Sequence, residues 1–135
     1  MPAFEHKVQM RWADYDPMQH VNNVVYHEFM QDARVGLIEA IGLDRRALNV
    51  VGHFVARTEI DYIAPIGMGV PSITVKLWID RLGGASYDVL YEFLDDEGTV
   101  YAKAKTVMVT VEMATNSVIR LDETMRELLT RFMVA

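Results

Sequence analysis

From His6 onward the apolar positions Val8, Met10 and Trp12 alternate with Lys7, Gln9 and Arg11, the period-2 pattern of a strand with one buried face. That strand has to stop by Asp16-Pro17. Beyond it Tyr26, Met30, Ala33, Leu37 and Ile41 recur at helical spacing, His27, Glu28, Gln31 and Arg34 fill the polar positions, and Gly42 supplies a stop. A helix of about five turns is predicted. After an irregular segment around Asp44 to Val51, the residues Phe54, Ala56, Thr58, Ile60 and Tyr62 face one way and Arg57, Glu59 and Asp61 the other. Ala64-Pro65-Ile66-Gly67 ends this second strand. Ile73, Val75, Leu77 and Ile79 mark a third, which runs to a turn at Leu82-Gly83-Gly84, and Tyr87, Val89, Tyr91 and Phe93 mark a fourth. Asp95-Asp96-Glu97-Gly98 reads as a hairpin connection into a long strand, Val100 to Glu112, where Ala102 and Ala104 would let a helix approach closely. A short amphipathic helix follows, from an Asp122 cap through Met125, Leu128, Leu129 and Phe132.

The order is strand, long helix, four strands, short helix. Consecutive strands joined by short turns are antiparallel, and one long helix buries itself by lying across their sheet, so the expected class is α+β. With 135 residues, 51% of them apolar, and neither repeat nor linker, a single domain over residues 1–135 is expected. A formal net charge of -6 without a Lys/Arg cluster argues against a nucleic-acid or acidic-lipid surface. The chain contains no cysteine, which excludes disulfides, thiolate nucleophiles and sulfur-ligated metals. Neither a signal-peptide pattern nor a long apolar run is present, so the expected location is cytoplasmic, with no membrane partner.

The junction RWADYDPMQHVNNVVYHEF, residues 11–29, concentrates the candidate chemistry. Asp16 before Pro17 has the makings of a helix cap. The helical period becomes clear only near Tyr26, however, and Asn22 and Asn23 are good caps themselves. If an Asn caps the helix, Asp16 belongs to a loop and is free for other work. The first amides of a helix lack intrahelical partners and carry the positive end of its dipole, so they suit a developing oxyanion. A carboxylate opposite them can attack a polarised carbonyl or take a proton from an attacking water.

Asp14-Tyr15-Asp16-Pro17, followed by His20-Val21-Asn22-Asn23 and Tyr26, resembles the active-site signature of the hotdog-fold acyl-CoA thioesterases, in the subgroup of 4-hydroxybenzoyl-CoA thioesterase. Ile60-Asp61-Tyr62 with Pro65, and Arg81-Leu82-Gly83 with Ser86, resemble later segments of that family. The resemblance implies an antiparallel sheet wrapped around one long central helix, with no cofactor. It implies Asp16 as the catalytic carboxylate, nucleophile or general base, and the backbone N–H of Asn23 as the oxyanion donor. An acyl-CoA substrate and a homodimer or homotetramer with its active site at the dimer interface are implied too. The His-Val-Asn-Asn version looks more like the broad acyl-CoA branch than the aromatic-specific one, and Gly69-Val70-Pro71 stands where the family has Gly followed by an acid. Two rival readings stay open: hydratase or dehydratase chemistry on an acyl thioester, and a non-catalytic acyl-CoA-binding module.

Around this pair, His20 can orient Asp16, contact substrate or serve water activation, because imidazole changes state near neutral pH. Tyr26 assists by position, and Tyr26 and Phe29 are candidates to line an acyl pocket, although aromatics at helical spacing are usually core. Asp14 is expected to be a solvated surface carboxylate. Asp14, Asp16, His20 and His27 do not share a helical face, and no metal is expected. Arg57 and Arg81 are the substrate-binding candidates for coenzyme A phosphates, with Lys103 and Lys105 beside them.

Overall fold

The structure, a computed structural model, describes residues 3–133. Strand β1 (Phe4–Gln9) is shorter than its alternation predicts, because the chain turns into a single 3-10 turn at Trp12–Asp14 that leaves Trp12 85% exposed. Helix α1 (Asn23–Ile41) begins at an Asn22 cap and ends at Gly42, whose φ of 104° is the left-handed conformation that glycine adopts without strain. The segment expected to be irregular contains a second helix, α2 (Arg45–Val50), started by the Asp44 carboxylate accepting from the Ala47 amide at 2.8 Å. Its six residues are too few to display a helical period.

Strands β2 (Val51–Tyr62), β3 (Ser72–Leu82), β4 (Ser86–Leu94) and β5 (Val100–Glu112) join β1 in one sheet of order β1-β3-β4-β5-β2, and the two-residue β6 (Ser117–Val118) adds to β5. All pairings between these strands are antiparallel. The expectation of short turns between consecutive strands is corrected after β2. Short turns make hairpins of β3-β4 and β4-β5, so β2 pairs with the free side of β5, and residues 63–71 carry the chain back across the sheet to β3.

Register shifts between Val55 and Arg57, and between Ile79 and Arg81, leave Ala56 and Asp80 as the extra residues of two bulges. The first puts Phe54, opposite Val109, on the outer face with Arg57, Glu59 and Asp61, and not with Thr58, Ile60 and Tyr62 as strict alternation predicts. One unpaired residue reverses the alternation.

Helix α1 packs on β1 and β3, burying Phe29, Met30, Ala33, Leu37 and Ile41 against the inner sheet face of Val75, Leu77, Ile79, Tyr91 and Phe93. Ala102 and Ala104 of β5 are buried in the same core. The inner face of β2 lies past the helix, and Val55 and Tyr62 there remain 43% and 50% exposed. Helix α3 (Glu123–Thr130) starts where Asp122 accepts from the Met125 amide at 2.8 Å, and it inserts Leu129 into the core. None of the described helices is long and apolar enough to cross a membrane.

Candidate active site

The junction is built from Asp14 upward. Its carboxylate accepts from the Arg11 amide at 2.7 Å and from the Arg11 guanidinium at 3.2 and 2.8 Å, and the residue is fully buried. The expectation of a solvated Asp14 is corrected: the 3-10 turn folds Arg11 over it, and a paired, hydrogen-bonded carboxylate tolerates burial. The Asp14 carbonyl in turn accepts from the Asn22 amide at 2.9 Å. A buried carboxylate paired with an exposed guanidinium thereby holds the entry to α1.

Asp16 occupies the next layer. Tyr15 and Val21 bridge antiparallel, the Asp16 amide donates to the His20 carbonyl at 3.0 Å, and the Gln19 amide returns to the Asp16 carbonyl at 2.8 Å. One carboxylate oxygen accepts from the Met18 amide at 2.9 Å, an Asx turn; among the described residues no other group bonds to this side chain. Gln19 closes the loop at φ 64°. Asp16 is half-buried and lines a cleft of about 490 Å³ with Trp12, Tyr15, Pro17, Gln19 and Met68. The link between His20 and Asp16 runs through the backbone, while the His20 side chain is exposed and its main chain bridges Gly67.

Helix α1 starts one residue after this hairpin. Three of its first donors are engaged: Asn22 N–H to Asp14 O at 2.9 Å, Val24 N–H to the Asn22 side chain at 2.9 Å, and Val25 N–H to Asn22 O at 2.9 Å. Asn22 is therefore the cap, and Asp16 is left to the loop. The N–H of Asn23 is the remaining one of the four, and no described residue accepts from it. Asn23 lines a second cleft, of about 230 Å³, with Val21, Tyr26, Tyr62, Ile63, Ala64 and Pro65.

The other candidates divide by helix face. Tyr26 is 3% exposed and meets Tyr62 edge-on at 5.0 Å and Phe93 at 5.2 Å; burial, then the neighbouring Tyr62, pushes its hydroxyl up to about 12, so it stays protonated at neutral pH. Phe29 is equally buried but faces Val8 and Gln9 of β1, on the flank away from the Asn23 cleft. Arg57 pairs with Glu59 at 2.7 Å on the outer face of β2. Arg81 forks onto Asp88 at 2.9 and 3.0 Å and also reaches Ser86, and its hydrogen bonds hold the Asp88 carboxyl below the usual range. Both arginines are engaged by neighbouring side chains and lie apart from the two clefts.

An inner polar cluster leaves no motif in the sequence. Arg34 reaches the Tyr91 hydroxyl at 3.3 Å, Tyr91 bonds Thr106 at 2.7 Å, and His53 Nδ1 bonds the Tyr87 hydroxyl at 2.7 Å. Its one trace along the chain is the placement of Tyr87 and Tyr91 among the marker positions of the fourth strand. Among the described residues, no three His, Asp or Glu side chains group as metal ligands would.

A model of the thioesterase-like superfamily matches residues 10–129. The chain belongs to that superfamily. It is a thioester hydrolase of the hotdog fold, its curled antiparallel sheet packed against α1. The long-chain acyl-CoA thioesterase FadM of Escherichia coli is 27% identical over 124 residues, 90% of this chain and 92% of the relative. The crystal structure of the PA5185 protein of Pseudomonas aeruginosa superposes with a TM-score of 0.86 at 26% identity, covering 98% of this chain and 92% of that one. The Staphylococcus aureus protein SAV2348, solved in complex with CoA, has a TM-score of 0.87 at 15% identity over 96% of this chain and 83% of its own, a likeness of fold.

Proposed function

We propose that this thioesterase hydrolyses an acyl-CoA to the free acid and CoA, with the Asn23 amide as oxyanion donor and Asp16 as nucleophile or general base. The observation that carries the reading is the single unengaged donor at the start of α1. Three of four N-terminal amides are consumed in fixing the helix, and the fourth opens onto a cleft of Tyr26, Tyr62 and Ile63. A fixed amide at the positive end of a helix needs no reorganisation as the carbonyl oxygen gains charge. Asp16 retains accepting capacity beyond its one bond from Met18, as attack on a carbonyl or on a water proton requires. FadM's long-chain acyl-CoA substrate and the CoA held by SAV2348 support the substrate class.

The active form in this reading is a homodimer. Asp16 and Asn23 line separate clefts of one chain; exposed Trp12 and Met68 border the first, exposed Tyr62 and Ile63 the second, and Met18 and Val24, adjacent to them in sequence, are exposed as well. An apolar surface of this kind marks an interface, and β2 leaves one backbone edge unpaired for a second copy. His20 and Tyr26 assist by holding the hairpin and the cleft. Free-thiol release from a panel of acyl-CoA thioesters tests the activity, and light scattering tests the dimer. Undiminished turnover in Asp16→Asn would sink the assigned mechanism.

A further inference from the structure

Asn23, His27, Met30 and Arg34 follow one another at spacings of four, three and four residues, so they share one flank of α1. This flank borders the inner face of β2, where Tyr62 and Thr58 are exposed and Ile60 is half-buried. These residues form three cross-strand layers with β5, Tyr62 with Ala102, Ile60 with Ala104, and Thr58 with Thr106, whose β5 members are buried. Two layers are apolar and the third is hydroxylic. At that third layer Arg34 descends onto Tyr91, whose hydroxyl is bonded to Thr106.

Arg34 is half-buried, yet among the described residues no carboxylate lies within ion-pairing distance of it, and its one hydrogen bond, to Tyr91, is long at 3.3 Å. A guanidinium carries five donors and is costly to withdraw from water without acceptors. Two layers farther on, past Val55 with Met108, His53 Nε2 is buried and makes no hydrogen bond among the described residues, while its Nδ1 is taken by Tyr87. Unfilled polar capacity thus lies along the same inner face, beyond the apolar cleft at Tyr62 and Asn23.

Resting on the acyl-CoA reading above, we propose that Arg34, backed by Tyr91 and Thr106, is a specificity site for acyl groups whose far end carries an oxygen acceptor, a carboxylate above all. The bidentate geometry of guanidinium with carboxylate suits this occupant better than any other terminal group. From the Tyr62 layer to the Thr58 layer is about 13 Å of strand. An extended chain advances about 1.2 Å per bond, so acyl groups of roughly eight to twelve carbons span it.

The test measures kcat/KM for ω-carboxyacyl-CoA, ω-hydroxyacyl-CoA and unsubstituted acyl-CoA thioesters of matched length across that range, with the wild-type protein, Arg34→Met, Arg34→Lys and Tyr91→Phe. The readout is the ratio of substituted to unsubstituted substrate within each protein, which a partial loss of folded material does not move. The ω-carboxyl ratio is expected to exceed one at one chain length, to fall about 10- to 100-fold in Arg34→Met, and to fall less in Arg34→Lys. A wild-type ratio of one or below at every length, or a ratio unchanged in Arg34→Met, overturns the site. A peak for the ω-hydroxyl series alone also overturns the carboxylate assignment. Thiol release from none of the thioesters sinks the hydrolase reading instead. Non-hydrolysable thioether analogues titrated into wild type and Arg34→Met then decide the Arg34 site: preference for the ω-carboxyl analogue, lost in the variant, upholds it, and equal binding overturns it.

Discussion

Asp14 and Asp16 stand two residues apart and have opposite surroundings. Asp14 is buried, its oxygens receive three donors from Arg11, and its carbonyl holds Asn22. Asp16 is half-buried and receives one donor, the Met18 amide. A carboxylate whose valence is filled can anchor a helix start but has nothing left for a substrate. One with valence to spare is weakly determined by the fold and open to chemistry. The reach of Arg11, at i-3 in a 3-10 turn, makes the difference.

The strongest way to break this contrast is Asp16→Asn. Thiol release is expected to fall by about 10²- to 10⁴-fold while the melting temperature barely moves, since only one turn hydrogen bond depends on the carboxylate. A large loss of melting temperature with activity per folded molecule intact would reverse the roles of the two aspartates.

His53 extends the same contrast to an imidazole with one nitrogen filled and one not. Burial pushes it down to about 4 from 6.5, so between those values the unfolded chain binds a proton that the folded chain refuses. Stability therefore rises with pH across that window: the contribution is complete above about 6.5, is lost as pH falls through about 4, and amounts to roughly 3 kcal/mol. Chemical denaturation of wild type and His53→Gln at pH 4 and pH 7 measures it, and an equal acid loss in both proteins would assign the effect elsewhere.

Asp14→Asn is the third comparison. Asparagine keeps the volume but gives up the charge and presents an amide to Arg11, so unfolding free energy should fall by about 1 to 3 kcal/mol. A thermal melt several degrees lower is the expected reading. The mildest is Asn22→Ala, which removes one capping bond, to Val24, at a cost of about 1 kcal/mol. Because the Asn23 amide is positioned by that cap, kcat should fall with KM held; a change in KM alone would place the cap outside the oxyanion geometry.

Much of the fold is legible in the sequence because local period and local caps decide it. The α1 stripe, the Asp122 cap and the Asp95-to-Gly98 turn need only neighbours within a few residues. Strand order is not legible in that way: alternation says that β2 has two faces but not that its partner is β5, about fifty residues on. The bulge residues Ala56 and Asp80 look like any other strand position, and the six-residue α2 has no room for a pattern. At the candidate site, side-chain type and spacing narrow the helix cap to Asp16, Asn22 or Asn23, and the bond from the Val24 amide selects Asn22, which leaves Asp16 to the loop. The burial of Asp14 depends on how Arg11 folds over it, and the contact of Arg34 with Tyr91 spans 57 residues. Side chains that meet only through the tertiary fold leave no mark along the chain.

The strand order also dictates when the site can form. The hairpins β3-β4 and β4-β5 lie within Ser72–Glu112 and close short loops, whereas β1 and β2 reach their partners over tens of residues. Closing a long loop costs more entropy and comes later. During synthesis, then, the Asp16 hairpin and α1 emerge first and wait for a sheet that does not yet exist. Pulse-labelled amide exchange should show protection in β3 to β5 before β1 and the start of α1, so that the candidate site is the last part of the molecule to acquire its shape.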